Sequence, residues 1–173
     1  MDGKTVNNSS VILRHIVQPQ DANLAGITHG GVVMKNIDDA AGVVAVKHSG
    51  CAVVTASIDR MDFHHPVYIG NLLTVKASIN MVGQTSMEIG VRVEAEDIVT
   101  GKSRHTASAY LTFVALDRNN KPTRIPPLIL VTKEEKRRNR EAGDRRKVRL
   151  AEKSKEKKCR RDPDDCQPTK AQV

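Results

Sequence analysis

The stretch GITHGGVVMKNIDDAAGVVAVKH, residues 26–48, decides how the rest of the chain can be arranged. From Thr28 onward it holds a dense run of apolar residues without proline, about five helical turns long. A run of this length favours a buried helix over a strand. Thr28 is predicted to cap the start of the helix, and Ser49-Gly50 is predicted to end it.

The sequence on both sides of this helix has the pattern of β-strands. SVILRHIVQ (10–18) is rich in branched residues and is predicted to end at a Pro19 turn. Between 52 and 118 four segments alternate polar and apolar residues between turn signals: AVVTASIDRMDF, LLTVKASINMV, SMEIGVRVEAEDI and RHTASAYLTFVALD. The order predicts an α+β fold, in which a curved antiparallel sheet wraps around one long central helix. One such layer leaves a sheet edge and part of the helix uncovered, so we expect a homodimer.

The net charge of +8 is concentrated near the C-terminus. Residues 1–132 carry a net charge of +1, residues 133–161 carry +9, and residues 162–173 carry −2. The proline-rich segment IPPLIL precedes the basic stretch, whose composition predicts a solvated surface helix. The predicted organisation is a domain at 1–130, a basic C-terminal helix at 131–161 and a disordered tail at 162–173.

Several classes of protein are excluded or disfavoured by composition. No apolar run approaches a membrane span, and MDGKTVNNSS lacks the basic and apolar parts of a signal peptide. The three cysteines have no zinc-type spacing, and the His64-His65 pair has no acidic or thiol partner at a ligand spacing. We therefore expect a cytoplasmic protein with no metal, no cofactor and no membrane partner.

Two adjacent acids interrupt the helix, which is otherwise suited to burial. Lys35 lies three and four residues before Asp38 and Asp39, so an ion pair along the helix accounts for one carboxylate. The two acids point about 100° apart, so the second can turn toward something buried. An unpaired buried carboxylate costs several kcal/mol, which makes this pair a candidate functional site.

The Gly30-Gly31 pair in the first turn has two interpretations. It allows either tight packing against a strand or the binding of a carbonyl oxygen by open N–H groups at the helix start. Gly31 and Asp38 are about 10.5 Å apart along the axis, which is too far for both to meet one reacting carbon. A site built from two helices, one per subunit, satisfies the distance. His29 is expected to lie near this site without acting as the base.

Three longer segments carry a resemblance to a known family. They are QPQDANLAGITHGGVVMKNIDDAAGVVAVKH, VVTASIDRMDFHHPVYIGNLLTVKASI and TSMEIGVRVEAED. Together they resemble the hotdog-fold acyl-CoA thioesterases, in the cytosolic long-chain, or brain-type, acyl-CoA hydrolase group. The resemblance spans roughly residues 10–130 and continues weakly into the basic helix. It implies a single-hotdog form that assembles as a homodimer and further as a trimer of dimers.

The resemblance also implies roles for particular residues. Asp38 takes the position of the general base or nucleophile, and Asn23 works opposite it from the partner subunit. The Gly30-Gly31 turn polarises the thioester carbonyl, and Asp39 is structural. Positions that line the pantetheine channel correspond to Thr85 and Ser86, which a turn followed by a strand explains equally well. From charge alone, Arg104, Lys102 and the basic helix are candidates for binding a phosphate of coenzyme A.

The function predicted from these features is hydrolysis of fatty acyl-CoA to a free fatty acid and coenzyme A. Asp38 acts as general base, with a covalent anhydride through Asp38 as the alternative. A second hypothesis is a protein that binds nucleic acid or an anionic surface through residues 133–161, although six interspersed acids and no aromatic residues disfavour it. A third is a hotdog dehydratase or hydratase, an activity that generally relies on a histidine with an acid.

Overall fold

The computed structural model describes residues 1–161. Ten helices and strands lie within this part of the chain, together with a 3-10 turn at Pro19–Asp21. In chain order they are β1 (Lys4–Thr5), α1 (Val6–Ser9), β2 (Val11–Ile16), α2 (Gly30–Ser49), β3 (Ala52–Phe63), β4 (Leu72–Val82), β5 (Ser86–Asp97), β6 (Lys102–Leu116), β7 (Leu128–Ile129) and α3 (Lys133–Arg161). The disorder predicted for 162–173 lies outside the described residues.

Helix α2 is the long central helix that the sequence predicts. Its buried residues recur every three or four positions along one side. They are Val33, Ile37, Ala40, Ala41, Val44, Ala45 and His48. The C-terminal boundary is confirmed, because Gly50 ends the helix in the left-handed conformation at φ 73°. The prediction for the N-terminus is wrong: the capping residue is His29, whose ring accepts a hydrogen bond from Gly31 N–H, and not Thr28.

A five-stranded antiparallel sheet wraps around α2 in the order β2-β4-β5-β6-β3. Alternate residues of the three central strands face the helix and form the core. They include Leu73, Val75 and Ile79 from β4, Met87, Ile89 and Val93 from β5, and Ala107, Leu111 and Phe113 from β6. This arrangement confirms the α+β hotdog fold. Strand β3 lies at one edge, where Val54 and Ile58 remain exposed.

The N-terminal residues close the far end of α2. Strand β1 pairs with β7 in parallel, and Lys4 Nζ donates hydrogen bonds to the carbonyl oxygens of Lys47 and His48 at 2.9 and 2.8 Å. These carbonyl groups lie in the last turn of the helix, where no following turn supplies backbone N–H donors for them. His48 is fully buried beneath this segment, and its Nε2 lies 3.0 Å from the Pro126 carbonyl oxygen.

Helix α3 lies against the outer face of the sheet, on the side away from α2. Ala142 is fully buried, and Arg145 forms an ion pair with Glu88 of β5, which is also fully buried. Arg149 forms a second ion pair, with Asp59 of β3. The predicted C-terminal surface helix is confirmed: most of its described residues are exposed, and one side packs on the sheet. Its arginines form polar contacts with one face of the sheet, which apolar periodicity cannot reveal.

Candidate active site

The loop before α2 holds Asn23 in a fixed orientation. Asn23 Oδ1 accepts hydrogen bonds from the backbone N–H groups of Ala25 and Ile27 at 2.9 and 3.4 Å. Asn23 N–H also donates to the Ile27 carbonyl at 2.7 Å, and Gly26 makes the turn at φ 74°. Because the carboxamide oxygen is occupied, Asn23 has its Nδ2 hydrogens left to offer as donors.

The first turn of α2 offers one open backbone donor. Gly31 N–H donates to His29 Nδ1 at 3.0 Å, so it is occupied. A Cβ atom at residue 31 would lie 3.1 Å from that ring nitrogen, so glycine gives the cap its room. Within the described residues no acceptor bonds to Gly30 N–H. The helix dipole strengthens this open donor toward a negative oxygen.

Asn23 and Gly30 line the same cavity, which has a volume of about 350 Å³. The cavity lies between the loop, the start of α2 and the end of β3, and most of its wall is apolar. The other lining residues are Ile27, Thr28, Val33, Phe63, His64, His65, Pro66 and Val67. The cavity therefore combines a mainly apolar wall with the polar groups of Asn23, Thr28 and two histidines.

Asp38 is half-buried and is held by β3. Thr55 Oγ1 donates a hydrogen bond to Asp38 Oδ1 at 2.8 Å. No described donor bonds to Oδ2, so this oxygen remains able to accept a proton from water. Thr55 lies on the edge strand, so the carboxylate is placed at the uncovered margin of the sheet.

Asp39 has a different environment from its neighbour. Lys35 lies one helical turn before Asp39, and its Nζ forms an ion pair with Asp39 Oδ2 at 2.9 Å. Both side chains are mostly exposed, at 76% and 53%, so the pair contributes only a few tenths of a kcal/mol. The lysine therefore pairs with Asp39, and within the described part of the chain no cation pairs with Asp38.

A single chain does not bring the acid and the donor cavity together. Asp38 is absent from the cavity wall, and Gly30 precedes it by more than two helical turns. The cavity lies at the Phe63 end of β3, whereas Asp38 bonds to Thr55 near the other end. Asp38 and Asn23 thus both lie beside the edge strand β3, but near opposite ends of it.

The three residues expected to bind coenzyme A also lie apart. Thr85 and Ser86 stand at the start of β5, and Ser86 pairs with Val114 of β6. Arg104 pairs with Ala95 near the other end of β5. Nine residues of extended strand separate the two points, or about 30 Å. Within one chain the two groups cannot contact the same phosphate.

A histidine pair adjoins the cavity. The rings of His64 and His105 are 4.9 Å apart, and His105 Nε2 lies 2.8 Å from Ser108 Oγ and 3.1 Å from the Ala107 carbonyl. Burial, followed by the charge of Arg92, lowers the pKa of His105 below its usual value. Across the described residues no cluster of three or more His, Cys, Asp or Glu side chains has the geometry of a metal site.

Some of the basic residues of α3 are paired with acids. Arg137 bonds to Glu134 and Glu141, and Arg138 bonds to Glu134. With the two ion pairs that reach the sheet, four arginines of this helix have carboxylate partners. These contacts reduce the positive charge available to a nucleic acid. No helix in the described part of the chain has the length and apolar content to cross a membrane.

A long helix enclosed by a curved antiparallel sheet defines the hotdog class of proteins, and the thioesterase superfamily profile matches residues 25–102. The cytosolic acyl coenzyme A thioester hydrolase of Rattus norvegicus is 38% identical over 143 residues, which are 82% of this chain and 38% of the relative. This chain therefore spans well under half the length of that protein.

An acyl-CoA hydrolase from Staphylococcus aureus, solved with butyryl coenzyme A and coenzyme A, has a TM-score of 0.83 at 36% identity, covering 90% of this chain and 94% of the other.

A hexameric acyl-CoA thioesterase has a TM-score of 0.85 at 37% identity, covering 88% of this chain and 97% of that one. The chain belongs to the thioesterase superfamily, in its acyl-CoA hydrolase branch.

Alanine variants of the Staphylococcus aureus enzyme provide a further comparison. Solved variants replace an asparagine, an aspartate that follows it by 15 residues and a threonine that follows the aspartate by 17. Asn23, Asp38 and Thr55 have the same two spacings in this chain. The correspondence links the loop, the helix and the edge strand described above.

Sequence patterns miss the structural role of three residues at or near this site. Thr55 is an ordinary alternating residue of a strand, and only the three-dimensional fold shows that it faces Asp38. His29 acts as the helix cap, a role that favours Ser, Thr, Asp or Asn in sequence statistics and so points to Thr28. Thr28 lines the cavity instead.

Proposed function

We propose that this protein hydrolyses fatty acyl-CoA thioesters to a free fatty acid and coenzyme A. The observation that carries the proposal is the contrast between two adjacent acids. Asp39 is neutralised by Lys35, whereas Asp38 is oriented by Thr55 and has no cationic partner among the described residues. A carboxylate kept available in this way fits a general base. The names of the relatives support the same substrate class.

In the proposed reaction, Asp38 Oδ2 takes a proton from water while the water oxygen bonds to the thioester carbonyl carbon. The carbonyl oxygen becomes an oxyanion. When the tetrahedral intermediate collapses, the C–S bond breaks and the sulfur leaves as a thiolate, which takes up a proton. Attack by Asp38 itself, through an anhydride that water then cleaves, is the alternative route. Both routes require an ionised and correctly oriented Asp38.

The donors for the oxyanion come from the cavity in this proposal. Asn23 and Gly30 line it, and neither Asn23 Nδ2 nor Gly30 N–H has an acceptor among the described residues. Preorganised donors of this kind stabilise charge that develops in the transition state. Gly31 contributes indirectly, because its missing side chain makes room for the His29 cap.

A two-fold pairing of β3 strands supports a site shared between subunits. Thr55 lies near the start of β3 and Phe63 at its end. Antiparallel pairing of two copies centred near Asp59 would set Thr55 of one strand opposite the Phe63 end of the other. Asp38 of one subunit would then face the donor cavity of its partner. The same pairing would cover the exposed Val54 and Ile58.

Further assembly and the location of coenzyme A are also part of the proposal. The hexameric structural neighbour supports a trimer of dimers, and the cytosolic relative supports a cytoplasmic location. We assign Thr85 and Ser86 to the pantetheine channel and Arg104 to a phosphate of coenzyme A. Because these positions are about 30 Å apart in one chain, they would come from different subunits of the assembly.

A matched pair of variants tests the assignment. Asp38→Asn should lower kcat about 100- to 10,000-fold, the usual contribution of a general base, in a protein that is still folded. Asp39→Asn changes the neighbouring residue in the same way and should retain near-normal turnover. The measurement is thiol release from acyl-CoA substrates ranging from acetyl to palmitoyl. Near-normal turnover by Asp38→Asn would refute the assignment.

A further inference from the structure

Asp59 is an acid in the middle of the edge strand β3. It lies at a shift of register between β3 and β6, which falls between Ile58 and Arg60. Irregularities of this kind re-aim a side chain, and the Asp59 side chain is directed at helix α3 on the outer face of the sheet. A charged side chain on an edge strand normally opposes pairing with a further strand.

Helix α3 crosses the sheet and reaches its edge at Asp59. Asn139 of α3 bonds to β4, Arg145 forms its ion pair with β5, and Arg149 forms an ion pair with Asp59 of β3. Because the sheet has the order β4-β5-β6-β3, the helix runs from the interior of the sheet to its last strand. The side chains of Arg149 and Asp59 are each only 13% exposed.

The ion pair at the edge differs from the one in the interior. Glu88 is fully buried in β5 and requires Arg145 in any state of the folded chain. Asp59 lies where no further strand of the described chain covers the sheet, so water can replace Arg149 there. An unpaired Asp59 therefore costs little in a separate chain and much more once another strand covers it.

The pairing of two β3 strands described above sets Asp59 opposite itself. In that pairing Thr55 faces the partner's Phe63, and Asp59 lies four residues from each of these positions. Directly opposed residues of antiparallel strands have Cβ atoms about 4.5–5.5 Å apart. Two bare carboxylates at this distance repel each other. With one Arg149 beside each of them, the four charges sum to zero.

We propose that Arg149 controls the pairing of β3 with a second copy of this chain by neutralising Asp59 at the two-fold axis. The inference rests on the shared site of the proposed function. Helix α3 thereby acts on the reaction without contacting substrate, because only the dimer brings Asp38 to the partner's cavity. Arg149 is a positioning residue on this assignment, and its effect falls on assembly.

Three variants separate the charge of Arg149 from its packing. Arg149→Met keeps the unbranched stem and removes the charge. The dissociation constant of the dimer, measured by sedimentation, should rise about 100-fold, because like charges about 5 Å apart repel at the dielectric constant of a protein surface. Arg149→Lys keeps the charge and should pair as the wild type does. Adding Asp59→Asn to Arg149→Met removes the repulsion and should restore most of the pairing.

Thiol release from butyryl-CoA shows whether the defect lies in assembly. Arg149→Met should be nearly inactive when dilute and should regain the wild-type rate per dimer at concentrations that restore pairing. Arg137→Ala is the matched control, because Arg137 pairs with acids of its own helix and should leave the dissociation constant unchanged.

The possible outcomes distinguish the inference from the function. A wild-type dissociation constant in Arg149→Met, or an equal rise in the double variant, overturns the inference. Urea unfolding at concentrations where every variant is monomeric gives the stability of the separate chain. A large loss there in Arg149→Met also overturns it, because the ion pair would then serve the fold. A monomeric wild type overturns the inference together with the shared site. No thiol release by a wild-type dimer overturns the proposed function alone.

Discussion

The Thr55 hydroxyl donates a hydrogen bond to Asp38 Oδ1 at 2.8 Å and so joins the middle of α2 to the edge strand of the sheet. This bond orients the carboxylate and leaves its second oxygen for water. Thr55→Val should therefore lower kcat about 10- to 100-fold, because a hydrogen bond to a charged group contributes about 1.5–3 kcal/mol. Thr55→Ser should recover most of the rate. Thiol release at saturating substrate measures kcat for both variants. A wild-type kcat in Thr55→Val would show that catalysis does not need this hydrogen bond to Asp38.

Mixing two inactive variants tests whether the site is shared. In the proposed shared site, Asn23→Ala and Asp38→Asn each remove one side of every site in a homodimer. A mixed dimer regains one complete site, built from the intact Asp38 of one chain and the intact Asn23 of the other. With random pairing at equal concentrations, the mixture should reach about a quarter of wild-type activity. Refolding the two variants together and then assaying thiol release gives the measurement.

The control for this experiment is each variant refolded alone, which should stay near background. A mixture that also stays at background, with mixed dimers demonstrated by mass or tag capture, contradicts a shared site. It would require Asn23 and Asp38 to act within one chain, although they do not line a common cavity there.

His48 should make the folded protein sensitive to mild acid. Burial, with a smaller contribution from the charge of Lys4, lowers its pKa below 6.5 against the opposing bond to Pro126. Below pH 6.5 the unfolded chain binds a proton that the folded chain resists, so stability falls as the pH falls. One titrating group changes the free energy of unfolding by at most about 1.4 kcal/mol per pH unit.

Urea unfolding at pH 7.5, 6.0 and 5.0 measures this dependence. His48→Gln can still donate to the Pro126 carbonyl but does not titrate, so its curve should be flatter over this range. His105 also has a lowered pKa and contributes in the same direction, and it is common to both proteins. The difference between the two curves isolates His48, and parallel curves would contradict the prediction.

The ion pair between Arg145 and Glu88 should dominate the attachment of α3. Glu88 is fully buried and Arg145 Nη2 lies 2.6 Å from its Oε1, so Arg145→Ala leaves an uncompensated charge. The free energy of unfolding should fall by about 3 kcal/mol. Arg137→Ala removes an exposed ion-pair partner on the same helix and should cost less than about 1 kcal/mol. Equal losses in the two variants, measured by urea unfolding, would contradict this account.

The main elements of the fold could be predicted because their patterns are local. The apolar run of α2 exceeds any ordinary strand, Gly50 ends it, and the strands alternate with a period of two. Outer-face contacts such as Arg145 with Glu88 could not be predicted, because 57 residues separate the partners and neither position differs in type from a solvated one.

The candidate site divides in the same way. Asp38 and the glycine pair stand out because acids and glycines are unusual within a buried helix. Choosing Asp38 over Asp39 from the residues alone required knowing which one Lys35 contacts, since both lie within helical reach. The resemblance to a family made that choice.

The position of Thr55 on an unpaired edge strand has a consequence for how the protein behaves at low abundance. In the proposed shared site another molecule supplies one half, so dilution below the dissociation constant of the dimer leaves monomers with incomplete sites. The rate then grows with the square of the chain concentration until pairing saturates. Activity would therefore rise more than proportionally with the expression level. Dilution alone would abolish activity without any inhibitor.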